Sequence, residues 1–278
     1  MPNIISGEER YFVRSVERAL SILSLFISKN EMNLTEISQI IDLPQSTTYR
    51  LLVTLAGLGF VERSVEKGIY RLGAICLALG DTFLQNNDLH QRAYKSLVDL
   101  RDQSGESVHL GLLEGTELVY LEKLQGLHSI GLMSSRIGGH SPVYCTGLGK
   151  AQLAYLDEST VRDILSKVNL TSYTENTITD IDHIINDLIK VREAGYAVDQ
   201  EEHERGVGCI ACPVFDHKGV VAAISLSGPI DRVLNSQSRD EFVRLVKQTA
   251  RDISIKMGGI NEYPTENLSF QTINVLSP

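Results

Sequence analysis

The stretch NLTEISQIIDLPQSTTYRLLVTLAGLG, residues 33–59, decides the fold of the first third of the chain. Asn33 has the side chain of a helix N-cap, and Glu36 stands three residues on, where its carboxylate can reach back to the cap N–H. Leu34, Ile37, Ile40 and Ile41 recur at helical spacing until Asp42-Leu43-Pro44 stops the helix, because the residue before a proline is pushed out of helical geometry. The turn is short. A second helix opens near Gln45-Ser46 and points Thr48, Leu51, Leu52, Leu55 and Leu58 inward, with Gly59 ending it in the left-handed conformation that glycine tolerates.

Working outward, Val16, Ala19, Leu20, Leu23, Phe26 and Ile27 form an apolar stripe over residues 15–28, a third helix. The last two helices, joined by a tight turn, make a helix-turn-helix. Downstream, Phe60-Val61-Glu62-Arg63 and Ile69-Tyr70-Arg71-Leu72 flank a Lys67-Gly68 turn, a hairpin of the size of a wing. Residues 12–73 are therefore expected to form a winged helix-turn-helix domain. Residues 74–87 continue with Ala74, Cys76, Leu77, Ala78, Leu79 and Phe83, apolar on most sides, as a linker helix packed between domains or subunits.

Residues 88–260 mix helices and strands without strict alternation, which predicts an α+β domain on an antiparallel sheet. Helices are expected over 89–103, 149–155, 159–168, 181–193 and 238–256, a hairpin over 108–113 and 118–123, and strands over 130–134 and 219–227. Residues 261–278 have no periodicity and read as a mobile tail.

The 278 residues, 42% hydrophobic and 22% charged, suit two globular domains and exclude a disordered or fibrous chain. The chain has neither an apolar run of about 20 residues nor a charged-then-apolar start, which predicts a cytoplasmic protein without a membrane partner. Four cysteines are too few for a disulfide scaffold. The net charge of −9 lies in the body: residues 1–75 hold eight basic and eight acidic side chains. A neutral head on an acidic body points to two modules with different partners.

In a helix-turn-helix the start of the second helix faces the major groove, which makes Gln45, Ser46, Thr47, Tyr49 and Arg50 candidates for DNA contact, with Lys67 on the wing. Ser46 and Thr47 can bond phosphates or base edges, and Arg50 can fork onto guanine or phosphate.

Leu34-Thr-Glu-Ile-Ser, Leu43-Pro-Gln-Ser-Thr-Thr-Tyr-Arg-Leu-Leu and Tyr70-Arg-Leu-Gly together resemble the winged-helix head of the IclR-type bacterial transcriptional regulators. Pro142-Val-Tyr-Cys-Thr-Gly-Leu-Gly-Lys-Ala, Gly195-Tyr-Ala-Val-Asp, Gly206-Val-Gly-Cys-Ile-Ala-Cys-Pro-Val and Ser225-Leu-Ser-Gly-Pro are similar to that family's effector-binding domain. Gln45 departs from the Lys or Arg usual in the family. The resemblance implies a GAF-like effector domain whose pocket takes a small organic acid, in a homodimer or a dimer of dimers bound to double-stranded operator DNA. Ser135-Arg136-Ile137-Gly138 is similar to the branch responding to sugar-acid breakdown products such as 2-keto-3-deoxygluconate.

Gly147-Leu148-Gly149 precedes a helix, whose free N–H groups favour a carboxylate. Ser225 and Ser227, two apart on a strand, share one sheet face, and Asp199 can accept from ligand hydroxyls. By position in the family motifs, Ile130, Met133, Val207 and Cys209 would form the apolar wall. No nucleophile elbow or phosphate loop is present, and no cofactor is implied. Two other readings stay open here: a small-molecule enzyme with a helical docking head, and a thiol or metal sensor using Cys209 and Cys212, with Cys145, His128, His140 and His203 as further ligands. On a strand, positions 209 and 212 face opposite ways.

Overall fold

A computed structural model describes residues 11–64, 68–127, 133–235 and 237–259. They fall into two compact units that divide between Asn87 and Asp88. The first unit begins with α1 (Arg14–Ser28), a short strand β1 (Met32–Asn33) and α2 (Leu34–Ile40). Asn33 Oδ1 accepts from the Glu36 N–H at 3.0 Å while Glu36 Oε2 accepts from the Asn33 N–H at 2.8 Å, so the capping box is complete. Next comes α3 (Gln45–Gly57), and Gly59 beyond it has φ +79°, the left-handed conformation expected there. The wing is β2 (Val61–Ser64) antiparallel to β3 (Ile69–Leu72), with β1 on the far edge of β3.

Ile22, Phe26, Met32, Ile37, Leu52, Leu55, Val61 and Tyr70 make the core of this unit. Each such side chain contributes about 1.5–3 kcal/mol when removed from water. The inner face differs from the sequence expectation. Val16, Leu20, Ile27, Ile40 and Leu58 are exposed, whereas Ile22 and Met32 are buried. The apolar stripe of α1 is wider than the surface that α3 and β3 can cover, so only the Ile22 and Phe26 line is enclosed. The unit ends in α4 (Ala74–Asn86), none of whose residues is buried.

The second unit is an antiparallel six-stranded sheet between two helical layers. Its elements are α5 (Asp88–Ser104), β4 (Ser107–Glu114), β5 (Glu117–Leu124), β6 (His140–Pro142), α6 (Gly147–Leu153), α7 (Glu158–Ser166), α8 (Ile181–Ala194), β7 (Ala197–Gln200), β8 (Val207–Phe215), β9 (Val220–Pro229), α9 (Ile230–Val233) and α10 (Arg239–Lys256). The strand order is β6-β5-β4-β9-β8-β7. α5 and α10 pack on one face; α6 packs on the other, backed by α8.

Of the strand expected over 130–134, Met133 and Ser134 are irregular and the rest lies outside the described residues, as does the expected tail 261–278. The helix expected from residue 149 starts two residues earlier, because Thr146 Oγ1 caps it by accepting from the Gly149 N–H at 3.3 Å. Among the described residues, no helix is long and apolar enough to cross a membrane.

Candidate functional site

Two surfaces concentrate polar side chains that the fold does not consume. On α3, Thr48, Leu52 and Leu55 are buried, which leaves Gln45, Ser46, Tyr49 and Arg50 exposed and Thr47 half-buried on the opposite face. The Gln45 amide donates to Thr35 Oγ1 at 3.1 Å, tying α3 to α2. From the wing, the Arg63 guanidinium sits 5.9 Å from the Tyr49 ring and 5.7 Å from the Tyr70 ring, adding a cation to the same face. Lys67 lies outside the described residues.

The second surface is a pocket between α6 and the sheet. Cross-strand register builds its floor, because residues directly opposite each other in adjacent strands share a face. One row runs Asp199, Cys209, Ser227, Ser107 across β7, β8, β9 and β4. The next runs Ala197, Ala211, Ser225, His109, Lys123 and reaches β5. Small side chains at 197 and 211 leave room for α6, whose first turn supplies Gly147 and Leu148. A Cβ on Gly147 would stand 2.8 Å from Cys209 Sγ, so only glycine lets the helix start this close to the floor. The N–H groups of Gly147 and Leu148, in the first turn, have no partner within the helix.

The pocket is lined by His109, Tyr120, Met133, Ser135, Thr146, Gly147, Leu148, Asp199, His203, Glu204, Val207, Cys209, Ser225 and Ser227, around an open space of about 40 Å³. Residues 133–135 form one wall and are held by three side chains. Lys123 Nζ donates to the carbonyls of Met133, at 3.3 Å, and Ser135. The Ser134 N–H donates to Glu204 Oε1 at 3.2 Å, which the Ser134 hydroxyl also reaches. His109 Nε2 lies 3.0 Å from Ser135 Oγ.

Burial sets the charge of the floor. Loss of hydration pushes the Asp199 carboxyl up to about 7, against the Glu202 N–H that donates to its Oδ1 at 2.7 Å. Burial, with Lys123 nearby, pushes His109 down to about 3, so its imidazole is neutral at physiological pH. On α6, Lys150 Nζ donates to Glu202 Oε1 at 2.5 Å and to Asp187 Oδ2 on α8 at 3.1 Å. Burial alone would lower the Lys150 pKa, but the two carboxylates outweigh it and raise it. Glu202 Oε2 is buried and has no hydrogen-bond partner among the described residues.

A helix-turn-helix head followed by a sheet domain also occurs in known proteins. Residues 15–64 match the IclR helix-turn-helix domain, and residues 81–255 match the bacterial transcriptional regulator IclR C-terminal domain. The chain belongs to the IclR family. It is 39% identical over 248 residues to the HTH-type transcriptional regulator XynR of Escherichia coli (strain K12), covering 88% of this chain and 98% of that one. It is 38% identical over 253 residues to the HTH-type transcriptional regulator KdgR of the same strain, covering 91% and 95%. The crystal structure of the Thermotoga maritima IclR superposes with a TM-score of 0.73 at 36% identity, over 88% of this chain and 99% of that one. This IclR-family chain is a transcriptional regulator, not an enzyme, which removes the reading of a small-molecule enzyme with a docking head.

The fold brings Met133, Gly147, Leu148, Asp199, Val207, Cys209, Ser225 and Ser227 of the IclR-family chain around one cavity; Ile130 lies outside the described residues. Sequence reading missed His109, Tyr120, Ser135, Thr146, His203 and Glu204 there, and Arg63 in the head. His109 and Tyr120 lie on the hairpin strands, and the strand period alone could have aligned them with the serines once the register was known. Cys209 faces the pocket while Cys212, opposite Ile224 on β9, is fully buried. Burial pushes both thiols up, Cys209 to about 12, which disfavours the thiolate that sensing chemistry needs. His128 lies outside the described residues. Among the described residues, no three His, Cys, Asp or Glu side chains gather to hold a metal ion.

Proposed function

We propose that this regulator reads a pseudo-palindromic operator in double-stranded DNA as a homodimer, through Gln45, Ser46, Thr47, Tyr49 and Arg50, and that a small organic acid in the sheet pocket shifts that reading to control catabolic genes. The head then runs through residue 73, the connecting helix through 87, and the effector domain from residue 88. The observation that carries the effector reading is the pocket floor, where the Ser225 and Ser227 hydroxyls and Asp199 line the same cavity as Gly147 and Leu148, whose first-turn N–H groups have no partner within the helix. The N–H pair suits a carboxylate and the floor suits hydroxyl or keto oxygens.

A second copy of the chain is supported by the apolar surface of the head. Leu77 is 77% and Phe83 59% exposed on α4, and Val16 and Leu20 are exposed on α1. A surface this apolar favours a protein partner over water. Two heads also add their phosphate contacts, which a neutral single head needs for affinity at physiological salt. Half-sites should lie about 10 base pairs apart or a multiple of that.

The experiment is a fluorescence-anisotropy titration of the protein onto DNA upstream of its own gene, against random DNA, with keto and sugar acids added in turn. Preference of roughly 10³-fold or more for that DNA, changed by one acid, is the expected result. Equal affinity for own-gene and random DNA, with every acid tested, would overturn the reading.

A further inference from the structure

The buried imidazole of His109 has no task in the effector reading above. It stands on β4 between two hydroxyls, with Nδ1 3.4 Å from Ser225 Oγ and Nε2 3.0 Å from Ser135 Oγ. Ser225 Oγ is in turn 3.5 Å from Ser227 Oγ. The Tyr120 ring packs 5.5 Å away, tilted 55°. The side chain thus joins the floor of the pocket to the wall formed by residues 133–135, and both ends of that connection line the cavity.

A neutral imidazole carries one N–H and one lone pair, on opposite sides of the ring. The two hydroxyls are therefore not independent. If Nδ1 donates on the floor side, Nε2 accepts and Ser135 must donate; reversing the first role reverses the second. A ligand oxygen that takes the place of Ser225 at Nδ1 decides which way Ser135 bonds.

Resting on the effector reading, we propose that His109 determines the specificity of the pocket by hydrogen-bonding an uncharged hydroxyl or keto oxygen of the effector, and that its tautomer passes the contact to Ser135. The ligand class is then an acid carrying an oxygen beyond its carboxylate. Asp199 and Glu204 on the same cavity favour that choice, since carboxyl oxygens can accept from ligand hydroxyls and offer a second carboxylate no donor in place of water. Burial keeps the ring uncharged throughout the physiological range, so one donor and one acceptor are always available.

The test titrates the full-length protein with propionate, glycerate and gluconate by calorimetry, for the wild type, His109→Phe and His109→Gln, with thermal melting to verify folding. The wild type should bind glycerate or gluconate roughly tenfold or more tighter than propionate, the usual worth of a ligand hydrogen bond to a buried polar site. His109→Phe should erase that preference. His109→Gln, which keeps a donor and an acceptor, should restore most of it. Independently of any variant, the ring ¹⁵N resonances of His109 in the wild type should move when the hydroxylated acid binds and stay when propionate does. Unmoved ring resonances with bound glycerate or gluconate, or an undiminished preference in folded His109→Phe, overturns the proposal alone. If the wild type binds none of the three acids, the effector reading fails and this proposal falls with it.

Discussion

The head and the body use polar side chains in opposite ways. On α3 they stand in water on one helix, drawn from six consecutive residues, and the core beneath does not need them. In the pocket they are buried, drawn from strands and loops between His109 and Ser227, and joined to one another. An exposed group contributes to function at little cost to stability, because water already satisfies it. A buried group is desolvated whether or not ligand is present, so it must have a partner and its removal disturbs the fold. Mutations on the exposed face of α3 should therefore separate binding from stability, and mutations of the buried polar groups in the body should change both.

The strongest attempt to break that contrast is Lys150→Met. The ammonium is almost fully buried between Glu202 and Asp187, and removing it strands two carboxylates around α6. We expect a loss of about 3–5 kcal/mol in urea unfolding followed by circular dichroism. Adding Glu202→Gln should recover part of it, since one stranded charge is gone. A loss under about 1 kcal/mol would mean that buried charge in this domain behaves like the surface charge of the head.

Asp199 tests the same idea through pH. Its folded-state pKa, near 7, lies above the ordinary carboxylate value of 3.8, so the folded chain binds this proton more tightly than the unfolded chain does. Its contribution to stability is thus intact below about pH 4, is lost as pH rises towards 7, and leaves a constant deficit above that. Asp199→Asn removes the deficit. At most about 1.4 kcal/mol per unit of pKa difference can be regained, and we expect about 1–3 kcal/mol at pH 8, vanishing near pH 4. An anionic effector should likewise bind more weakly to the wild type as pH rises through 7, with the trend absent in the variant. A stability difference independent of pH would contradict the assignment.

Arg50→Ala addresses the head. It should weaken operator binding by about 1–3 kcal/mol while leaving the melting temperature unchanged. Salt dependence sharpens the result. Loss of a phosphate contact lowers the slope of log affinity against log salt by about 1, whereas loss of a base contact leaves the slope and relaxes preference at one position. Unaltered affinity in both respects would remove Arg50 from the interface.

The same contrast explains what could be read in advance. The capping box, the turn at Pro44 and the helix-ending Gly59 all act within five residues, so they are legible from order alone. Ser225 and Ser227 are legible because positions two apart on a strand share a face, and Asp199 because its carboxylate can accept from ligand hydroxyls. His109 and Ser135 did not, since each acquires its role only when β4 is laid beside β9 and the 133–135 segment is folded against it. The inner face of α1 was misread for a different reason. Periodicity reports how wide the apolar stripe is and not how much of it neighbours are large enough to cover, so Val16 and Leu20 seemed interior.

The smallest expected effect lies where the head's own order is most local. Asn33→Ala removes the side-chain acceptor that caps α2 at the Glu36 N–H and leaves only the reciprocal bond, from the backbone N–H of residue 33 to the Glu36 carboxylate. Such caps contribute about 0.5–2 kcal/mol, and the chain keeps Lys29, whose ammonium meets Glu36 at 2.6 Å on an exposed surface and adds little. Because α2 carries Thr35, which accepts from Gln45 and so helps to orient α3, the loss should reach operator binding, though by less than Arg50→Ala. Effector affinity, measured by calorimetry on the same variant, should stay at the wild-type value. Should it fall with the cap, the pocket would depend on local order in the head, and the separation between an exposed reading surface and a buried sensing one would no longer hold.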